Sequence, residues 1–148
     1  MGSYQTVVVG TDGSETSFAA VERAAELARD SGATLVIACA YEPGKTDTAA
    51  QDALGEDAAY QVVGSTPAEN SVRDARERAV KAGATTIETE VVQGKAASTL
   101  QKIVDQRKAD LCVVGNRGLN TLAGRIIGSV PQDIIRHMPV DVLIVHTT

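Results

Sequence analysis

Three short apolar runs constrain this chain more than any other feature. They are Thr6–Gly10, Leu35–Tyr41 and Ala109–Gly115. Each has the length of a strand, and none alternates as a strand with one wet face would. They read as strands covered on both faces, the pattern of a parallel sheet between helices. Between the runs lie segments with helical spacing. Ser14 can cap a first helix whose apolar stripe is Phe18, Val21, Ala25 and Ala28, and Gly32 can end it. A second helix is expected over Pro67–Ala82, with Val72, Ala75 and Ala79 buried and Gly83 closing it. Thr86–Val92 sets Ile87, Thr89 and Val91 against Glu88 and Glu90, which reads as a half-exposed edge strand. A third helix over Ala96–Arg107 buries Leu100, Ile103 and Val104. A fourth is expected over Val130–His137, and a last strand over Val140–Thr147.

Strands and helices thus alternate. That order implies an α/β fold with a single-domain, open, parallel five-stranded sheet and helices on both faces. Five strands favour the flavodoxin-like order 3-2-1-4-5. The 148 residues fit one domain spanning 1–148. The stretch of about 42–66, rich in Ala, Asp, Gly and Thr, reads as a variable loop that can hold a short helix near Thr48–Leu54.

Composition removes several classes of function. The net charge of -5 argues against nucleic acid or an anionic membrane surface as partner. No apolar run approaches the ~20 residues of a membrane span. The start, MGSYQTVVVG, lacks the basic and apolar regions of a signal peptide, so a cytoplasmic protein is expected. Cys39 and Cys112 each sit in an apolar run and read as reduced thiols packed in the core. His137 and His146 stand apart from any nucleophile.

In open parallel sheets, ligands bind beyond the carboxyl ends of the strands, where strand order reverses. Here that is between the first and fourth strands. Their ends are Gly10-Thr11-Asp12-Gly13-Ser14 and Gly115-Asn116-Arg117-Gly118, the two most glycine-rich turns. The second continues to Gly124, Gly128 and Ser129 before a helix. Glycine lets backbone N–H groups curl around an anion, and the helix start adds its own N–H groups and positive dipole end. Arg117 and Arg125 can add charge; alternatively, Gly118, Gly124 and Gly128 only make turns. Ser129 either bonds a phosphate or, with Gln132, caps the helix. Asp12 either accepts from ribose hydroxyls or starts an Asx-turn. Ala40, small and apolar, either leaves room for a flat base or simply packs in the core. Neither the P-loop signature nor a G-x-G-x-x-G after the first strand is present.

At these residues the chain resembles the universal stress protein family. The family's G-x₂-G-x₉-G-[ST] signature reads here Gly115, Gly118, Gly128 and Ser129. The opening VVVGTDGS and the ending MPVDVLIVHTT are similar to the family's first and last strands. The resemblance spans the whole chain. It implies the fold of the adenine nucleotide alpha hydrolase-like proteins, with an adenine nucleotide across strands one and four. On that resemblance Asp12 binds ribose, and the backbone near Ala40 meets adenine, with Gly10 and Thr11 close by. Gly115, Asn116, Arg117, Gly118, Gly128, Ser129 and Val130 surround ribose and phosphates.

Two positions depart from the pattern. Asn116 stands where Ser is frequent, and Gly10 where a bulkier residue is frequent, which suggests open space at that turn. Cations are few in the loop, so ATP, AMP and cyclic AMP all remain open, with Mg²⁺ expected only beside ATP. The function implied is that of a nucleotide-binding regulator or reservoir without efficient turnover. A slow ATP hydrolase or nucleotide-dependent enzyme is the alternative. The family also implies a homodimer through the last strand, where Val142, Leu143, Ile144 and Val145 form an apolar edge that needs cover.

Overall fold

A computed structural model describes residues 4–41, 65–116, 134 and 136–147. In chain order its elements are β1 (Thr6–Gly10), α1 (Glu15–Ser31), β2 (Thr34–Tyr41), α2 (Ser65–Lys81), β3 (Thr86–Gln93), α3 (Ala96–Arg107), β4 (Leu111–Gly115) and β5 (Asp141–Val145). The strands form one sheet in the expected order, β3-β2-β1-β4-β5; flavodoxin's own order is 2-1-3-4-5, so flavodoxin-like describes the layered open sheet and not the strand order. Every pairing is parallel.

The three valines of β1 show why the central strands are apolar throughout. Val7 and Val9 point to one face, beneath α1 and α2, and pack with Phe18, Val21, Val72, Ala75 and Ala79. Val8 points to the other face and packs with Leu100, Ile103, Val104, Ile134 and Met138. All three are fully buried. A polar residue at any of them would lose its water without gaining a partner. Cys39 belongs to the first face and Cys112 to the second, both as buried free thiols.

Helix ends follow local chemistry. Ser14 caps α1 by accepting from the Ser17 N–H. Gly32, at φ 68°, closes it in the left-handed conformation. α3 closes the same way on a residue with a side chain, Lys108 at φ 53°. There the Ala109 N–H turns back to the Val104 carbonyl. That bond explains why β4 starts at Leu111 rather than at the expected Ala109. α2 begins at Ser65, two residues ahead of the expected Pro67, so Ser65 and Thr66 belong to a helix and not to the preceding loop. Pro67 remains in the first turn, where its missing N–H has no partner to lose. β5 is shorter than expected and covers Asp141–Val145.

α1 and α2 are tied by Arg78, which reaches Glu15 and Glu22 and lies 5.1 Å from the Phe18 ring centroid. β3 is the expected edge strand. Ile87 and Val91 pack inward, while Arg107 of α3 pairs with Glu88 and Glu90. At the sheet's amino end, the Asp110 carboxylate accepts the Gln5 and Thr6 N–H groups, holding β1 beside β4. The proposed short helix near Thr48–Leu54 lies outside the described residues. So does most of the fourth helix, of which residues 134, 136 and 137 are described as helical.

Candidate functional site

The sheet order places the ends of β1 and β4 side by side at the point where the strand order reverses. The chain then diverges there. Past β1, the Thr11 N–H donates to the Ala38 carbonyl of β2, 2.9 Å away. Past β4, the Asn116 N–H donates to the Val145 carbonyl of β5, also 2.9 Å away. One chain leans toward each neighbour, so the two strand ends part at the position where the strand-order rule expects a crevice.

β-ladder parity adds a second feature. The Ala38 carbonyl faces β1, and the Tyr41 carbonyl faces β3, where it accepts the Gly94 N–H. Backbone groups alternate sides along a strand. The N–H and carbonyl of Ala40 therefore face the β1 side. They lie two residues beyond Gly10↔Ala38, the last β1–β2 pair. This puts one backbone donor and one acceptor at the margin of the crevice, beside a half-buried alanine. Such a pair suits the edge of a flat heterocycle. The sequence suggested Ala40 for its small side chain, but its backbone direction is set only by the pairing.

The turn from β1 into α1 is held by a chain of hydroxyls. The Ser17 hydroxyl donates to the Ser14 carbonyl at 2.8 Å, so in the 2.7 Å Thr11–Ser17 contact Thr11 donates. The Thr11 oxygen in turn accepts the Gly13 N–H. Thr11 and Ser17 are both buried, and their mutual bonding is what permits this. Asp12 is exposed beside them. Its Oδ1 accepts the Ser14 N–H at 2.9 Å and the Ser14 hydroxyl at 2.6 Å. The Asx-turn reading of Asp12 is thus observed, and it leaves the carboxylate at the crevice rim. The two roles weighed from sequence are compatible.

Two glycines serve close packing. A Cβ on Gly10 would sit 3.1 Å from Leu100 Cδ1. The space expected at Gly10 is therefore taken by α3, which approaches β1 because the side chain is missing. Gly13 adopts φ +85°, and a Cβ there would overlap the Ser71 oxygen of α2. Neither Leu100 nor Ser71 carries a sequence signal for this contact.

Gly115 ends β4 as expected. The side chain of Asn116 is directed at the end of β5. Its Oδ1 accepts the Thr147 N–H and hydroxyl, and its Nδ2 lies 3.4 Å from His146 Nδ1. Arg117, Gly118, Gly124, Arg125, Gly128, Ser129 and Val130 lie outside the described residues.

The cysteines are unsuited to nucleophilic work. Burial pushes the Cys39 thiol up to about 11, with the Asp12 charge adding to the effect, and the Cys112 thiol up to about 12. Among the described residues, no group of three or more His, Cys, Asp or Glu is placed to hold a metal ion. No helix of the described residues is long and apolar enough to cross a membrane.

Comparison with known proteins bears on this arrangement. The family model described as the universal stress protein family matches residues 3–146. Universal stress protein Rv1636 of Mycobacterium tuberculosis is 50% identical over 148 residues, covering 100% of both chains. A universal stress protein solved in complex with cAMP is 46% identical, with a TM-score of 0.75 over 98% of each chain. UspA of Lactobacillus plantarum shares the fold at 23% identity, with a TM-score of 0.77 over 97% of this chain and 98% of its own. Whole-chain agreement with these proteins, on a sheet of the expected order, means that this chain belongs to the universal stress protein family.

Proposed function

We propose that this protein binds an adenine nucleotide in the crevice between β1 and β4, and that it acts as a regulatory sensor or reservoir rather than as an efficient enzyme. The observation that carries the reading is the divergence of the two strand ends. The Ala40 backbone edge and the Asp12 carboxylate belong to the strand ends that border it, and they suit a base and a ribose. The glycine signature Gly115, Gly118, Gly128 and Ser129 supplies the phosphate side. The solved relative at 46% identity is a complex with cAMP, which favours cyclic AMP over AMP and ATP as ligand. A singly charged cyclic phosphate also suits a loop with few cations. ATP would bring Mg²⁺ with it. Efficient hydrolysis would need a general base and a metal-binding set near the phosphates, for which the sequence offers only Asp12.

The same reading makes the protein a cytoplasmic homodimer with a part in stress response. Two reduced, buried thiols fit a reducing compartment. β5 is an edge strand whose residues Val142 to Val145 are only half-buried in the single chain. Pairing with a second copy across a two-fold axis would cover them.

Calorimetric titration with cAMP, AMP and ATP, with and without Mg²⁺, tests the proposal beside a Gly115→Lys variant. The expected result is heat with cAMP from the wild type and none from the variant. Absence of heat with every nucleotide refutes the reading. Sustained phosphate release from ATP replaces the sensor by a slow hydrolase.

A further inference from the structure

We infer that Ser14 is a positioning residue, whose hydroxyl holds the Asp12 carboxylate in the orientation that receives a ribose hydroxyl. The inference rests on the nucleotide-binding reading above and assigns a task to a residue that otherwise only caps a helix. Proton accounting carries it. Ser14 has one hydroxyl hydrogen, and it goes to Asp12 Oδ1 at 2.6 Å. The Ser14 oxygen then accepts the Ser17 N–H and the Thr16 hydroxyl, each at 3.1 Å. Asp12 Oδ1 receives a second donor, the Ser14 N–H. A carboxylate with one oxygen held by two donors loses its freedom to rotate, so the direction of the other oxygen is set as well. Ser14 is itself tied into the helix start. It is the cap of α1, and the Thr11–Ser17 hydroxyl pair anchors the turn from below. The orientation of Asp12 is therefore built into the packing of α1 before any ligand arrives, which lowers the cost of ordering on binding.

Three variants separate positioning from capping. Ser14→Thr keeps the acceptor and the donor. Ser14→Asp keeps a helix cap but has no hydrogen to give Asp12. Ser14→Ala loses both. The readouts are the melting temperature, the Hα–Hβ couplings of Asp12 by NMR, and the affinity ratio between cAMP and its 2′-deoxy analogue, in which the one free ribose hydroxyl is gone. Wild type and Ser14→Thr are expected to prefer cAMP by about tenfold, as a charged hydrogen bond provides. Ser14→Ala and Ser14→Asp bring that ratio close to one and average the Asp12 couplings, although Ser14→Asp melts near the wild-type temperature. Binding by the wild type with the same preference in Ser14→Ala and Ser14→Asp overturns the role of Ser14 alone. A wild-type ratio of one also overturns it. No heat from the wild type with any nucleotide overturns this inference together with the nucleotide reading.

Discussion

Asn116 and Thr147 are joined twice. One side-chain oxygen of Asn116 accepts both the backbone N–H of Thr147, at 3.0 Å, and its hydroxyl, at 2.9 Å. The Asn116 N–H meanwhile bonds the Val145 carbonyl. The first residue after β4 thus continues the β4–β5 ladder beyond its last pair. Asn116→Ala is expected to lower stability by about 1–2 kcal/mol, since it strips two donors of their acceptor. Asn116→Asp keeps the acceptor and should restore much of the loss. Urea denaturation, with hydrogen exchange at the Thr147 amide, checks both.

Gly13 is expected to resist any side chain. Its φ of +85° and the overlap that a Cβ there would make with the Ser71 oxygen work together. Gly13→Ala should cost about 1–3 kcal/mol. Combining it with Ser71→Gly relieves the contact but not the backbone strain. A double-mutant cycle in urea should therefore show a favourable coupling between the two positions. Additive losses would mean that α2 does not press on this turn.

Both thiols link stability to alkaline pH. Folding raises Cys39 from 9.0 to about 11 and Cys112 from 9.0 to about 12. The unfolded chain gives up these protons first. The stability is whole below pH ~9 and falls as the pH climbs through the folded values. Cys39→Ala and Cys112→Ala variants should show a shallower decline between pH 9 and 11 than the wild type. A thiol reagent at pH 8 should find neither cysteine in the native protein and both in denaturant.

The homodimer proposal turns on β5. Ile144→Glu places a charge in the half-buried edge strand and is expected to give a monomer by light scattering. Val80→Glu is the control, because Val80 lies on α2 and is already 57% exposed. It should leave the assembly unchanged. A dimeric Ile144→Glu protein would mean that the contact lies elsewhere.

Much of the fold was legible because the chain repeats one local decision. Runs such as Val7-Val8-Val9 must be covered on both sides, and stripes such as Phe18, Val21, Ala25 and Ala28 supply the cover. These patterns act within a few residues, so they can be read in order along the chain. Element ends were less legible. The start of β4 moved because Lys108 took a left-handed turn and Ala109 spent its N–H on α3. An αL residue other than glycine has no reliable mark in sequence. The candidate site divides the same way. That Gly10, Thr11, Asp12 and Gly115 stand at the ends of β1 and β4 was legible because glycine-rich turns after strands are local. The use of Asn116 was not legible, since its partner lies 31 residues away in the chain.

By itself the sequence determined the alternation of strands and helices and the types of residue at the ends of β1 and β4, because apolar periodicity and turn chemistry are short-range. Tertiary structure alone decided which groups face the crevice. Pairing with β1 and β3 aims the Ala40 backbone, and packing of Leu100 fills the space beside Gly10. The directions of hydrogen bonds and the distances between helices depend on residues far apart in the chain, and they take their values only once the layers have closed.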